Sequence, residues 1–120
     1  MFRFTTRFLL SNLKNFEKLE ELNAYLLRTK PSHTVVYFRA AWNPQCEITD
    51  KHLHQLAAEN SSLQTIQIDS DLCPKIVKHY RVRAEPEFIF CLYGDEVLRQ
   101  IGVNWAGLND KLNKMVKLGQ

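Results

Sequence analysis

Several features that would mark a specialised sequence are missing here. The chain of 120 residues has four glycines and four prolines, scattered rather than clustered, so it contains no linker and no low-complexity stretch. It has no internal repeat, and no apolar run approaches the roughly 20 residues that span a bilayer. With 45% hydrophobic and 24% charged residues, the length suits a single domain over residues 1–120. We therefore expect one folding unit without a transmembrane segment, whose only membrane association would be peripheral, through a membrane-bound complex.

Cysteine is also scarce, and its count is odd. Cys46, Cys73 and Cys91 are widely spaced, unlike the even framework of a small secreted domain held by disulfides. We expect a reducing compartment, with Cys73 at a helix start and Cys91 in a strand core rather than paired with each other. The chain also lacks a glycine-rich phosphate loop, a triad order and a recognisable pair of acids. These absences predict no cofactor and no small-molecule substrate.

Acidic residues are absent from the first 16 positions. That segment carries Arg3, Arg7 and Lys14 together with hydroxyl residues, which is the composition of a mitochondrial targeting segment. An ordinary first strand with a basic flank fits it equally well. We interpret residues 1–12 as a basic, apolar N-terminal arm similar to an uncleaved targeting segment, and we predict a mitochondrial location, in the matrix or at the inner membrane.

The net charge of +3 is modest. Basic residues are spread along the chain except for one group, which consists of Lys75, Lys78, Arg81 and Arg83. Nucleic-acid binding proteins usually carry a more extensive basic surface. We therefore favour a solvated basic helix end over a nucleic-acid site, and this group is the place where nucleic acid would bind if the chain has that function.

Hydrophobic periodicity predicts alternating helices and strands followed by a hairpin. Apolar residues recur at helical spacing over residues 15–28, 44–59, 71–80 and 105–118. Runs rich in β-branched and aromatic residues predict strands over 33–40, 63–69 and 87–93, and a further strand, EVLRQIGV, follows the turn at Gly94 and Asp95. The order predicts an α/β fold: a mixed sheet with helices on both faces, parallel in its first half and antiparallel at the hairpin.

The stretch AAWNPQC, residues 40–46, has the composition of a helix start. Asparagine is among the best N-cap residues, and Pro44 suits the first helical position because its missing N–H would be unpaired there. Glu47 lies in the first turn, where the helix dipole favours an acid. We expect the Asn43 side chain to accept a hydrogen bond from the backbone N–H of Gln45 or Cys46.

The same stretch, taken with others in register, resembles the thioredoxin family over nearly the whole chain. VVYFRAAWNPQC is similar to the central strand of that family running into W-C-G-P-C, QIDSD to the acidic end of its next strand, and RVRAEPEFIF to the loop with its cis-proline. Gly94 and Gly102 fall where the family has glycines. The resemblance implies a thioredoxin fold with a central sheet of four or five strands, in which Pro86 is cis and faces the helix start at Asn43.

The chain departs from the family where redox chemistry is carried out. Asn43 stands at the place of the first cysteine, which in thioredoxins is the attacking thiolate, and Cys46 matches the second, resolving cysteine. The family's buried carboxylate on the central strand corresponds to Tyr37. The residues flanking the cis-proline are Glu85 and Glu87, and carboxylates beside a thiol raise its pKa. We therefore read residues 42–46 and Pro86 as a degenerate redox loop without a catalytic residue.

Two other patterns have an ordinary structural interpretation. Cys46, Asp50 and His54 are spaced four residues apart on one predicted helix, but such residues drift around the helix by about 40° per step. We favour a solvated polar face with a salt-bridged His54 over a metal site. Trp42 reads as core or rim packing rather than as a platform for a substrate.

Two classes of function remain open from the sequence. The first is a non-catalytic accessory subunit of a larger mitochondrial assembly, with a respiratory-chain or ATP synthase complex as the leading choice and the mitochondrial ribosome as an alternative. The second is a thiol–disulfide redox protein that uses Cys46, alone or with another cysteine. In the first case the partners are other protein subunits, and two contact patches are predicted. They are a loop patch formed by Trp42, Glu85 and Glu87, with a negative rim, and an apolar arm patch formed by Phe2, Phe4, Phe8 and Leu9.

Overall fold

The computed structural model describes residues 13–60 and 62–118. Strands and helices alternate along this part of the chain. Their bounds are β1 (Leu13–Asn15), α1 (Leu19–Thr29), β2 (His33–Arg39), α2 (Pro44–Glu59), β3 (Leu63–Asp69), α3 (Pro74–Tyr80), β4 (Glu87–Leu92), β5 (Asp95–Ile101) and α4 (Trp105–Leu118). None of the helices in these ranges is long and apolar enough to cross a bilayer.

The strands of the described residues form one mixed sheet in the order β1-β3-β2-β4-β5. β1 and β2 both pair with β3 in parallel, whereas β4 is antiparallel to β2 and β5 is antiparallel to β4. The β4–β5 hairpin turns at Tyr93 and Gly94, which both have positive φ, 50° and 89°. A glycine suits such a position because it has no Cβ. The predicted mixed sheet and its terminal hairpin are confirmed.

The core consists of two layers, one on each face of the sheet. Because successive strand residues point to opposite faces, neighbours in β2 belong to different layers. Val36 and Phe38 pack with helices α1 and α3, while Val35 and Tyr37 pack with α2 and α4. All four of these β2 side chains are fully buried, which explains the apolar character of β2 on both faces.

The prediction of a first helix beginning at residue 15 is wrong in its start. Leu13–Asn15 is a short edge strand, paired in parallel with β3 from Thr65 to Gln67, and the helix begins at Leu19. A strand of three residues is too short to show a period of two. The pairing that makes it a strand comes from β3, about fifty residues further along the chain.

The topology brings two loops together at one end of the sheet. Arg39 at the end of β2 lies opposite Asp69 at the end of the parallel strand β3. The antiparallel neighbour β4 begins at the same end of the sheet, since Phe38 lies opposite Glu87. The loop that leads into α2 and the loop that leads into β4 therefore meet there, and this is where the predicted site residues lie.

Candidate functional site

Asn43 begins helix α2 as the sequence predicts. Its backbone is extended, with φ −92° and ψ 115°, and its side-chain Oδ1 accepts a hydrogen bond of 2.9 Å from the N–H of Gln45. Pro44 occupies the first helical position, and Glu47 lies in the first turn. The predicted N-cap is confirmed, and it satisfies one of the N–H groups that a helix start leaves without a partner.

The other end of the same side chain ties the helix start to the proline loop. Asn43 Nδ2 donates a hydrogen bond of 2.9 Å to the carbonyl oxygen of Glu85. The peptide bond between Glu85 and Pro86 is cis, as the resemblance implies. Gly102 N–H then donates to the Pro86 carbonyl at 2.8 Å. These contacts join three segments, namely the start of α2, the Pro86 loop and the end of β5, into one surface.

Cys46 lies directly beneath this surface and is fully buried. Its Sγ accepts the Ala40 N–H at 3.5 Å. The other two thiols are also free and buried. Burial, followed by the nearby carboxylates, raises the pKa of Cys73 above its usual value and the pKa of Cys91 to about 12. Cys73 is the N-cap residue of α3 and Cys91 lies in β4, as predicted. None of the three thiols is exposed in this structure.

A carboxylate does lie near Cys46, but it comes from the helix rather than from the strand. Tyr37 fills the strand position, stacks on Phe88 with ring centroids 5.1 Å apart, and donates its hydroxyl to Asp50 Oδ1 at 2.8 Å. Arg39 binds the same carboxylate at 3.0 Å and Asp69 at 3.3 Å. Burial, and then the hydrogen bond with Asp50, raise the pKa of Tyr37 far above its usual value. Tyr37 is therefore a neutral, fixed donor, and Asp50 is held by two partners.

The structure corrects two predictions about the rim of this site. Trp42 is 69% exposed, so of its two predicted positions the core is wrong and the rim remains, with the ring at the surface beside the helix start. Glu87 is fully buried and does not form a negative rim. Its carboxylate accepts from Arg99 at 2.6 Å and from the backbone N–H of Arg83 at 3.0 Å. Arg99 on the neighbouring strand β5 pairs with Glu87 in the interior. The half-buried Glu85 is therefore the acid that remains at the rim.

Two apolar side chains that sequence reasoning did not assign complete the surface. Ile101 and Val103 are 45% and 40% exposed and flank Gly102, the residue that bonds Pro86. We call the surface formed by the exposed Trp42, Ile101 and Val103, with the buried Pro86 beneath it, the loop groove. In the sequence, only Gly102 indicated this groove. The resemblance matched Gly102 to a glycine of the family but did not assign a role to Ile101 or Val103.

Three other predictions concern a metal site, the arm patch and the basic group. No group of metal-binding side chains is found among residues 13–60 and 62–118, and Asp50 is occupied by Arg39 and Tyr37. The arm patch, Phe2, Phe4, Phe8 and Leu9, lies outside the described residues and stays a prediction. The basic group is exposed on α3 and in the residues that follow it; its relation to nucleic acid also stays a prediction.

Comparison with known proteins places these features in a family. The family model described as Thioredoxin matches residues 14–117. Thioredoxin H2 of Arabidopsis thaliana is 28% identical over 101 residues, which cover 84% of this chain and 70% of that protein. Glutaredoxin 3 of Danio rerio is 24% identical over 106 residues, 88% of this chain but only 32% of that protein. The chain thus spans about a third of this relative.

Solved structures agree with the sequence comparison. Thioredoxin from Fasciola hepatica superimposes with a TM-score of 0.81 at 25% identity, covering 85% of this chain and 98% of that one. Thioredoxin NaTrxh from Nicotiana alata also gives a TM-score of 0.81, at 23% identity, covering 87% and 92%. The fold expected from the resemblance is confirmed. With the family model matching most of its length and the cis-proline facing the start of α2, this chain belongs to the thioredoxin family.

Proposed function

We propose that this chain is a binding member of the thioredoxin family, which holds an extended protein segment in the loop groove and does not itself exchange thiols. The observation that carries the proposal is the position of Asn43. The side chain that stands in place of the attacking cysteine is used at both ends, by Gln45 N–H and by the Glu85 carbonyl. Asn43 therefore has a complete structural role, and it has no atom that can act as a thiolate.

The surface around Asn43 supports binding for a separate reason. Trp42 is 69% exposed, and Ile101 and Val103 are each at least 40% exposed, although all three are large apolar side chains. Large apolar side chains that stay exposed around one hydrogen-bonded set of loops are a usual mark of a protein contact. With Glu87 buried, Glu85 alone gives the rim its acid, so a bound segment that carries one Lys or Arg fits better than a strongly basic one.

A second candidate is the thiol–disulfide redox protein that uses Cys46. The relatives favour this reading over an assembly subunit, because they are named thioredoxins and a glutaredoxin. In such a reaction the Cys46 thiolate would attack a disulfide of the partner, form a mixed disulfide and release one partner thiol. One glutathione would then release the reduced partner and leave Cys46 in a mixed disulfide with glutathione. A second glutathione would free the Cys46 thiol and leave as glutathione disulfide, so that two glutathiones supply the two electrons. Because Cys46 is fully buried, the start of α2 would have to open first.

Insulin reduction with dithiothreitol as the electron source separates the two candidates. If the chain only binds, the wild type and Cys46→Ser give the same background rate, and Asn43→Cys, which restores two thiols at the family spacing, raises the rate clearly. If the chain is a redox protein, the wild type is active and Cys46→Ser abolishes that activity. Cys73→Ser is the matched control, because it removes another buried thiol away from the loop groove.

Binding is tested under reducing conditions with variants of the groove. A segment held there is lost on Trp42→Ala and on Val103→Asp. Leu27→Ala is the matched control, since Leu27 is 74% exposed on α1 and lies outside the groove. Proteins retained from a cell extract by the wild type and by the control, but not by the groove variants, support the proposal. Equal retention by all four proteins refutes it.

The finer proposal, a subunit of a mitochondrial respiratory-chain or ATP synthase complex or of the mitochondrial ribosome, rests on the composition of residues 1–12 and on the missing nucleophile. The names of the relatives give no support for such an assembly. Native electrophoresis of detergent-solubilised mitochondria, followed by mass spectrometry, tests it. The chain should migrate at high mass with other subunits, and a pool at monomer mass alone would contradict this proposal without affecting the loop groove.

A further inference from the structure

A cavity lies at the end of the sheet opposite to Asn43. Its volume is about 420 Å³, and it is formed where the carboxyl end of α2 meets the starts of β2 and β3 and the face of α4. A second hollow of about 280 Å³ shares Leu56, Glu59 and Asn109 with it and extends toward His52 and Trp105. The two are continuous along the line between α2 and α4, and we call them together the helix cleft.

The cleft has an apolar floor. Leu63 and Leu112 are buried beneath it, and Met115 is fully buried. Leu56 on α2 completes this floor and packs against the same core layer. The rim is polar and uncharged except for Glu59, being formed largely by the side chains of Asn60, Asn109 and Asn113. An apolar floor with a few polar groups at the rim is the usual composition of a binding site.

The carboxyl end of α2, which borders the cleft, favours a positively charged group. The last turn of α2 contains no basic residue and ends in the exposed Glu59. The carboxyl end of a helix carries partial negative charge and is stabilised by a cation, so an acid at this position is unfavourable by itself. The other helices of the described residues each carry a base in the last turn, for example Arg28 in α1 and Lys117 in α4. The end of α2 thus lacks a positive group that a partner could supply.

His33, which lines the cavity, adds an unsatisfied polar atom. Its Nδ1 lies 3.0 Å from the Ser32 hydroxyl, whereas its Nε2 is buried and has no hydrogen-bond partner within the described residues. This nitrogen is inaccessible to solvent and therefore does not face the open cavity. A bound segment would contact other parts of the His33 side chain, which lines the cavity.

We propose that the helix cleft binds a basic, apolar peptide segment of a protein partner. The Arg or Lys head group of the segment pairs with Glu59 and the carboxyl end of α2, and an adjacent apolar side chain rests on Leu56, Leu63 and Leu112. The charge complementarity at Glu59 selects this occupant over an acidic or purely apolar one. The cleft is separate from the loop groove, because strands of seven residues, about 23 Å long, lie between the two ends of the sheet. This inference therefore does not depend on the proposed function.

The test uses the full chain and a fluorescein-labelled peptide of nine residues in which arginine alternates with leucine or phenylalanine. Fluorescence anisotropy should give saturable binding, and a matched peptide with glutamate in place of arginine should not bind. Glu59→Lys should weaken binding by about tenfold or more. Glu21→Lys is the matched control, since it makes the same charge change at an exposed position of α1 on the opposite face of the sheet, and it should stay within about twofold of the wild type.

A second variant tests whether binding occurs in the cleft itself rather than through a general change of charge. Asn113→Trp places a large side chain at the rim from an exposed position of α4 and should block the cleft without changing the charge. Thermal melting checks that each variant is folded. The proposal is overturned if binding survives both Glu59→Lys and Asn113→Trp, or if the glutamate peptide binds equally well. It is also overturned if light scattering without peptide shows a dimer that Glu59→Lys dissociates, because a second copy would then be the occupant.

Discussion

Replacing Asn43 with alanine tests the structural role of this residue directly. The substitution removes two hydrogen bonds at once, the N-cap bond from Gln45 N–H and the bond to the Glu85 carbonyl, both 2.9 Å long. Loss of an asparagine N-cap costs about 1 kcal/mol. A half-buried side-chain bond to a backbone carbonyl contributes about another 1 kcal/mol. We expect Asn43→Ala to lower the free energy of unfolding by about 2 kcal/mol and the melting temperature by on the order of 8–10 °C.

Two further substitutions separate the bonds. Serine at position 43 keeps the cap acceptor but is too short to reach Glu85, so it should cost about 1 kcal/mol, half of the alanine effect. Aspartate also keeps the cap and adds a charge that the helix start favours, but it places an oxygen against the Glu85 carbonyl. Its cost should therefore lie between those of serine and alanine.

Urea unfolding followed by circular dichroism measures these differences. Asn23→Ala, at an exposed position within α1, is the matched control and should not lower stability, because alanine is the better helix former. A cost below about 0.5 kcal/mol for Asn43→Ala would refute the reasoning. Equal costs for serine and alanine would show that the cap contributes nothing and that only the bond to Glu85 matters.

Three other single substitutions and one double variant test the electrostatics of the fold. Arg99→Leu leaves the fully buried Glu87 carboxylate without its 2.6 Å partner and should lower the free energy of unfolding, measured in urea, by about 3–5 kcal/mol. The double variant Arg99→Leu with Glu87→Leu should recover most of that loss. No recovery would mean that the hydrogen bond from Arg99 to the Tyr80 carbonyl is the larger contribution. Burial raises the pKa of Tyr80 to about 12, so its contribution to stability is complete below its usual pKa of 10 and is lost as the pH rises from 10 to 12. Tyr80→Phe should therefore lose less stability than the wild type in melts between these pH values, and identical pH profiles would contradict this. Hydrogen bonds from Arg99 lower the pKa of Glu96, so its contribution is present above the usual value of 4.5 and is lost as the pH falls below it. Because the side chain of Glu96 is 43% exposed, Glu96→Gln should lower stability at pH 7 by less than about 1 kcal/mol. The stability of this variant should also fall less than that of the wild type as the pH is lowered below 4.5. If the two stability curves stay parallel over this pH range, the prediction is wrong.

The replacement of the family's first cysteine by asparagine could be read from the sequence, but the arrangement of side chains around it could not. Asn43 in place of the first cysteine is visible in the residues alone. The new position of the carboxylate is not visible, because Tyr37 and Asp50 meet across the boundary between β2 and α2. Their contact depends on which face of α2 is turned toward the sheet, and that is set by packing of the whole core layer.

The sequence by itself determined the features that depend on neighbours along the chain. The order of strands and helices follows from periodicity, and the N-cap at Asn43 follows from a bond to a residue two positions away. The tertiary structure alone decided the contacts between distant segments. Asn43 binds Glu85 across 42 residues, and Glu87 turns inward because Arg99 of the neighbouring strand supplies a cation there. Trp42 is exposed because it lies in the loop between β2 and α2, outside the strand whose fully buried run ends at Phe38. Such partners are chosen by strand pairing and burial, which join residues that no local pattern connects.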